Sequence, residues 1–109
     1  MAFMKLADTS ELAEGKMKIV DVDSTSVLVA NVGGSYYAMK NECTHMGGSL
    51  GEGELQGNLV VCPRHGAEFD VTTGKAVGKA KIAFFKTMPK NEKTYPVKVE
   101  GTSIMVDIG

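Results

Sequence analysis

The only two cysteines and the only two histidines of this chain fall in two short clusters. The first is Cys43-Thr44-His45 and the second is Cys62-Pro63-Arg64-His65, with sixteen residues between His45 and Cys62. A thiolate is a soft anionic donor and an imidazole a neutral one, so a Cys–His pair supplied twice suits a transition-metal centre. One candidate is a tetrahedral Cys₂His₂ zinc site; another is an iron–sulfur cluster with mixed ligation. Zinc motifs usually pair like-spaced ligands across two or more residues, and Cys43-x-His45 is tighter than that. A third reading, a buried cysteine with unrelated surface histidines, needs chance to gather all four residues. Any fold that uses them as one centre must carry two loops that face each other.

The length of 109 residues sets a single domain over 1–109, with 40–76 as a ligand-bearing subdomain. Thirteen glycines point to many turns, hence short strands rather than long helices. A formal net charge of −1 gives no pull toward nucleic acid or an anionic membrane surface. Lys5, Asp8, Glu11, Glu14, Lys16 and Lys18 interrupt the first twenty residues, so no signal-peptide run is present there, and no stretch reaches membrane-span length. The expected setting is soluble and cytoplasmic. With both cysteines inside ligand-like motifs, a reducing compartment suits them better than a disulfide.

Along the chain, Thr9 to Gly15 reads as one helical turn, capped by Thr9 or Ser10 and closed by Gly15. Lys16–Val22, Ser26–Asn31 and Ser35–Met39 read as strands of an antiparallel meander, with turns at Asp23-Ser24 and Gly33-Gly34. Glu54–Gln56 and Leu59–Val61 flank Gly57-Asn58, a strong two-residue hairpin signal. Ala67–Val71 continues as a strand into the turn Thr72–Lys75. Val77 to Asn91, with Lys79, Lys81, Lys86 and Lys90 around Phe84-Phe85, reads as an irregular connection. Tyr95–Glu100 and Ile104–Ile108 alternate about Gly101-Thr102 and form a closing hairpin. Both ligand motifs thus sit at the ends of short hairpins.

The stretches Cys43-Thr44-His45-Met46-Gly47-Gly48-Ser49-Leu50 and Cys62-Pro63-Arg64-His65-Gly66-Ala67-Glu68-Phe69-Asp70 resemble the two loops of Rieske ferredoxins, and the Thr73-Gly74 turn matches as well. Over the rest of the chain the resemblance rests on strand order and the final hairpin. It implies an all-β fold of antiparallel sheets, a small β-sandwich or barrel, with a cluster-binding hairpin subdomain. It also implies one [2Fe–2S] cluster, with Cys43 and Cys62 on one iron and His45 and His65 on the other, near the surface. Gly47, Gly48 and Gly66 would let backbone N–H groups approach the cluster sulfurs, or serve turn geometry alone.

Departures from the family pattern carry information. High-potential Rieske proteins have an extra cysteine in each loop, joined as a disulfide; Gly48 and Arg64 stand at those positions. They also carry a serine and a tyrosine whose hydroxyls bond the cluster region; here those positions are Ala67 and Phe69. Hydrogen bonds to sulfur favour the reduced state, so their absence predicts a potential toward about −150 mV, the low end of the Rieske range.

The functional expectation is a one-electron carrier. It accepts an electron from an NAD(P)H-dependent flavin reductase and passes it to a terminal oxygenase or similar acceptor. A terminal oxygenase would need a mononuclear iron held by further histidines, which this sequence lacks. Gly33-Gly34 and Gly47-Gly48 are too short for a dinucleotide-binding loop. His45 and His65 would mark the exposed edge for electron entry and exit. Met46, Leu50 and Pro63, with Phe84 or Phe85, would form an apolar docking rim unless they pack in the core. Glu42, Glu52, Glu54 and Glu68 could steer a basic partner or serve as a plain solvated face. Two other readings stand beside the carrier: a redox-sensing or assembly subunit of a larger reductase, and a zinc-stabilised binding module.

Overall fold

The computed structural model describes residues 2–42, 49–63, 67–77 and 91–109. Of the four proposed ligands only Cys62 falls within them; Cys43, His45 and His65 lie outside the described residues. So do residues 78–90, most of the expected irregular connection.

Among the described residues, ten strands form three antiparallel sheets. β1 (Phe3–Asp8), β10 (Ser103–Asp107) and β9 (Val97–Glu100) make the first, in that order. β2 (Met17–Val22), β3 (Thr25–Val32), β4 (Ser35–Lys40) and β8 (Thr94–Tyr95) make the second. β5 (Glu54–Gln56), β6 (Leu59–Val61) and β7 (Glu68–Asp70) make the third. The all-β expectation holds, and so does the meander β2–β3–β4. Its turns use positive φ where expected: 54° at Asp23, then 60° and 91° at Gly33 and Gly34. Two successive positive φ values match a hairpin turn to the twist of its strands, and glycine adopts them without a Cβ clash.

The second sheet is the middle layer. Successive side chains of a strand point to opposite faces, and β3 is apolar on both. Leu28 and Ala30 face one core with Met39, Leu50, Val60, Cys62, Ala67, Phe69 and Val71. Val27 and Val29 face the other with Ala7, Leu12, Ala38, Tyr95, Ile104 and Val106. The first core joins the middle sheet to the β5–β6–β7 sheet, and the second joins it to the terminal sheet. Each fully buried Leu, Val or Phe side chain contributes about 1.5–3 kcal/mol, so β3 anchors both layers at once.

The structure adds one strand and corrects three local expectations. The added strand is β1, a segment with no expectation from the sequence. Its register to β10 shifts between Lys5 and Ala7, and that irregularity breaks the two-residue period by which a strand is read. The helical turn is only Thr9–Glu11, a 3₁₀ turn capped by Asp8 rather than Thr9 or Ser10. Asp8 Oδ1 accepts from the Ser10 N–H at 3.0 Å, and the Asp8 N–H donates back to Glu11 Oε1 at 2.8 Å. This reciprocal pair is a capping box. Ala67–Val71 shortens to β7. Tyr95–Glu100 divides at Pro96: Tyr95 pairs with Ala38 in the middle sheet, while Val97 pairs with Val106 in the terminal one. Proline has no N–H to donate to a ladder, so it suits the residue at which the chain changes sheets.

Candidate metal centre

The third sheet carries the second motif on its β6–β7 connection. Gly57, with φ 64°, and Asn58 turn β5 into β6 as expected. Cys62 follows β6 directly. Its N–H donates to the Ala67 carbonyl at 2.7 Å, which brings together the two described residues that flank 63–66 in sequence. The Cys62 side chain is a free thiol, only 2% exposed, in the core with Leu50, Ala67 and Phe69.

The first motif springs from the end of β4. Glu42 and Ser49, which flank the first motif in sequence, pair as an isolated antiparallel bridge and so form a closed neck at its base. Beyond the neck, Ser49 leads into a 3₁₀ turn at Leu50–Glu52 and then Gly53. This return segment lies against the second loop. Leu50 is fully buried in the same core as Cys62. A Cβ on Gly53 would overlap the Val61 carbonyl oxygen and lie 3.2 Å from Pro63 Cδ. The necks of both loops are therefore side by side, as a single four-ligand centre requires. Glu52, Gly53, Glu54, Val61, Cys62 and Pro63 line a hollow of about 370 Å³ between them. A larger hollow of about 450 Å³, walled partly by Tyr36, Tyr37 and Tyr95, contains none of the motif residues.

The described residues fit an iron–sulfur centre here. A buried thiol stands at the neck of one loop, and the neighbouring motif supplies a second Cys and a His by sequence. Ala67 and Phe69 are both fully buried, so apolar groups occupy the positions where high-potential relatives have hydroxyls. Of the residues read as either apolar rim or core, Leu50 is a core residue and Pro63 is exposed. Among the acidic residues, Glu42, Glu52 and Glu54 are exposed and Glu68 is half-buried.

Three contributors carry no mark in the sequence. Asn41 is a buried polar residue, 6% exposed, at the first neck. Gly53 bears the contact between loops, and only its proximity to the motifs could have marked it. Glu92 is also 6% exposed, and its Oε2 has no hydrogen-bond partner among the described residues. It sits where three segments meet: the Glu92 N–H donates to the Gly74 carbonyl at 2.6 Å, and the Lys40 N–H donates to the Lys93 carbonyl at 2.8 Å. Burial pushes the Glu92 carboxyl up to about 7; Lys40 pulls against this and Glu42 adds to it. No local sequence pattern distinguishes Glu92 from the solvated glutamates.

Comparison with known proteins agrees with this arrangement. The family model for the Rieske [2Fe–2S] domain matches residues 2–89. The ferredoxin component of the naphthalene 1,2-dioxygenase system of Pseudomonas aeruginosa is 37% identical over 98 residues, covering 90% of this chain and 88% of the relative. The ferredoxin of carbazole 1,9a-dioxygenase from Nocardioides aromaticivorans IC177 superposes with a TM-score of 0.81 at 31% identity, covering 97% of each chain. A chain in the complex of reduced oxygenase and oxidised ferredoxin of carbazole 1,9a-dioxygenase matches with a TM-score of 0.80 at 30% identity, over 95% of this chain and 91% of that one. With the paired loops, the buried thiol and a family match over most of its length, the chain belongs to the Rieske [2Fe–2S] family, as a ferredoxin-type electron carrier with one such cluster rather than a catalytic subunit.

Proposed function

We propose that Cys43, His45, Cys62 and His65 hold the cluster, the two cysteines on one iron and the two histidines on the other. The observation that carries this is the packing of the two loop necks against each other with Cys62 buried between them. The whole of 1–109 acts as one Rieske domain, with 40–76 as its cluster-binding part. When bound, the cluster stores one electron. The chain's own residues hold it between two closed necks and shield the thiolate side with Leu50, Ala67 and Phe69.

The chain takes its electron from an NAD(P)H-dependent flavin reductase and gives it to a terminal oxygenase. The names of the relatives as dioxygenase components, and the solved pairing of one such ferredoxin with its oxygenase, support this partner class. The setting is the cytoplasm; among the described residues no helix is long and apolar enough to cross a membrane.

The test is reduction of the purified, coloured protein by such a reductase, followed by re-oxidation on adding an oxygenase. An electron that no acceptor removes would favour the redox-sensing reading. Cys62→Ser is expected to lose bound iron, acid-labile sulfide and visible absorbance together. A colourless wild-type protein carrying tetrahedral zinc overturns the assignment. The midpoint potential is expected below zero, toward about −150 mV, because the Ala67 and Phe69 positions offer no hydroxyl. Voltammetry giving a positive value would contradict this.

A further inference from the structure

Asn41, buried at the neck of the first loop, makes three side-chain hydrogen bonds among the described residues. Its Nδ2 donates to Ser26 Oγ at 3.1 Å and to Ser49 Oγ at 2.8 Å. Its Oδ1 accepts from the Gly51 N–H at 2.6 Å. A backbone N–H can only donate, which fixes which way the carboxamide points. Its own N–H donates to the Ser26 carbonyl at 2.9 Å. The side chain therefore ties the outgoing strand of the loop to its return segment at two points, Ser49 and Gly51. It also ties both to the start of β3 through Ser26.

The return segment that Asn41 holds is the one that lies on the second loop. Gly51 lies close against its neighbours: a Cβ there would overlap the Ile19 side chain and come within 3.1 Å of Asn41 Oδ1. Two residues on, Gly53 rests against Val61 and Pro63, on either side of Cys62. The chain from Ser49 to Gly53 is thus a short splint, with Asn41 at one end and the neck of the second loop at the other. A side chain that sets such a splint sets the spacing of the two loops.

We propose that Asn41 is a positioning residue for the metal centre: its carboxamide fixes the first ligand loop relative to the second, and so governs how firmly the cluster is held and at what potential it is reduced. This rests on the reading that both loops carry ligands. Outer groups that orient ligands commonly change metal affinity by about 10–100-fold when removed.

The experiment compares wild type, Asn41→Ala, Asn41→Asp and Val106→Ala, a cavity variant in the far core, each as the cluster-loaded protein. Asn41→Ala is expected to release iron to a chelator at least about tenfold faster than wild type, and faster than Val106→Ala at equal loss of thermal stability. Its oxidised-to-reduced ratio at a fixed ambient potential is expected to change about tenfold, which is about 59 mV for a one-electron couple. Hydrogen exchange of the peptide containing Gly51 is expected to speed up selectively. Asn41→Asp restores slow release, because a carboxylate accepts from the Gly51 N–H and both serine hydroxyls can turn to donate to it. Release from Asn41→Ala no faster than from Val106→Ala, with an unchanged potential, overturns the proposal. If Asn41→Ala does not fold, Ser49→Ala removes one bond of the same clamp and must show the same changes in smaller degree; wild-type behaviour there overturns it too. A wild-type protein with no iron–sulfur cluster would instead defeat the ligand reading itself.

Discussion

Gly53→Ala is expected to lose about 3 kcal/mol or more of stability, together with most of the bound iron. The added Cβ would fall on the Val61 carbonyl oxygen. That carbonyl belongs to β6, where Val61 pairs with Glu54 and Glu68. It cannot retreat without disturbing both ladders and the Cys62 that follows. Backbone conformation is not the cause: Gly53 has φ −88°, outside the left-handed region, so the cost is one of space. Gly51→Ala provides the contrast. Its Cβ would meet chiefly Cγ1 and Cδ1 of the Ile19 side chain, which is 37% exposed, rather than backbone, so a smaller loss of about 1–2 kcal/mol is expected. Urea unfolding and iron content of the two variants check the difference. A Gly53→Ala protein that unfolds and holds iron like wild type would show that the two loops do not bear on each other there.

Glu92→Gln is expected to remove a pH dependence of stability. Burial is the main cause of the raised carboxyl of Glu92, from 4.5 to about 7. Between those values the folded chain holds a proton that the unfolded chain has released. Stability then falls as pH rises through this window, and levels off above it. Each tenfold gain in proton affinity on folding corresponds to about 1.4 kcal/mol; with screening at the junction by Lys40 and solvent, an effect of about 1–2 kcal/mol is expected. Glutamine resembles the neutral acid, so the variant should match wild type near pH 5 and exceed it near pH 8. Comparing urea midpoints of both proteins at the two pH values cancels contributions from carboxylates common to both. Parallel curves would mean that Glu92 ionises freely. Tyr95 offers a second readout, since burial and the neighbouring Glu92 push its phenol up, and Glu92→Gln should bring it down.

The hairpins with strong turn chemistry were legible from local pattern. Gly57-Asn58 and Gly33-Gly34 each lie between two strand-forming segments, and positive φ at these glycines closes the turns as expected. β1 and the break at Pro96 were hidden. The β1 pattern is disturbed by its irregular register, and the residues on either side of Pro96 belong to one alternating run that only distant partners divide. Leu50 was ambiguous for a related reason. Beside a ligand motif, an apolar residue reads equally as rim or core, and burial against Val60 and Phe69 decided for core.

For the centre itself, the proposed donor set was legible in the sequence alone. Two cysteines and two histidines in two short motifs suit a transition-metal centre whatever the fold around them. This is because ligand softness and charge are properties of side chains. What holds the motifs together was decided by the tertiary structure. Asn41, Gly53 and Glu92 are ordinary residues in ordinary local sequence. Each becomes consequential through a group distant along the chain or across a turn: Ser26 and Gly51 for Asn41, the Val61 carbonyl for Gly53, and the loss of water for Glu92. Spacing of backbones and exclusion of solvent depend on which segments meet, and no local period encodes that.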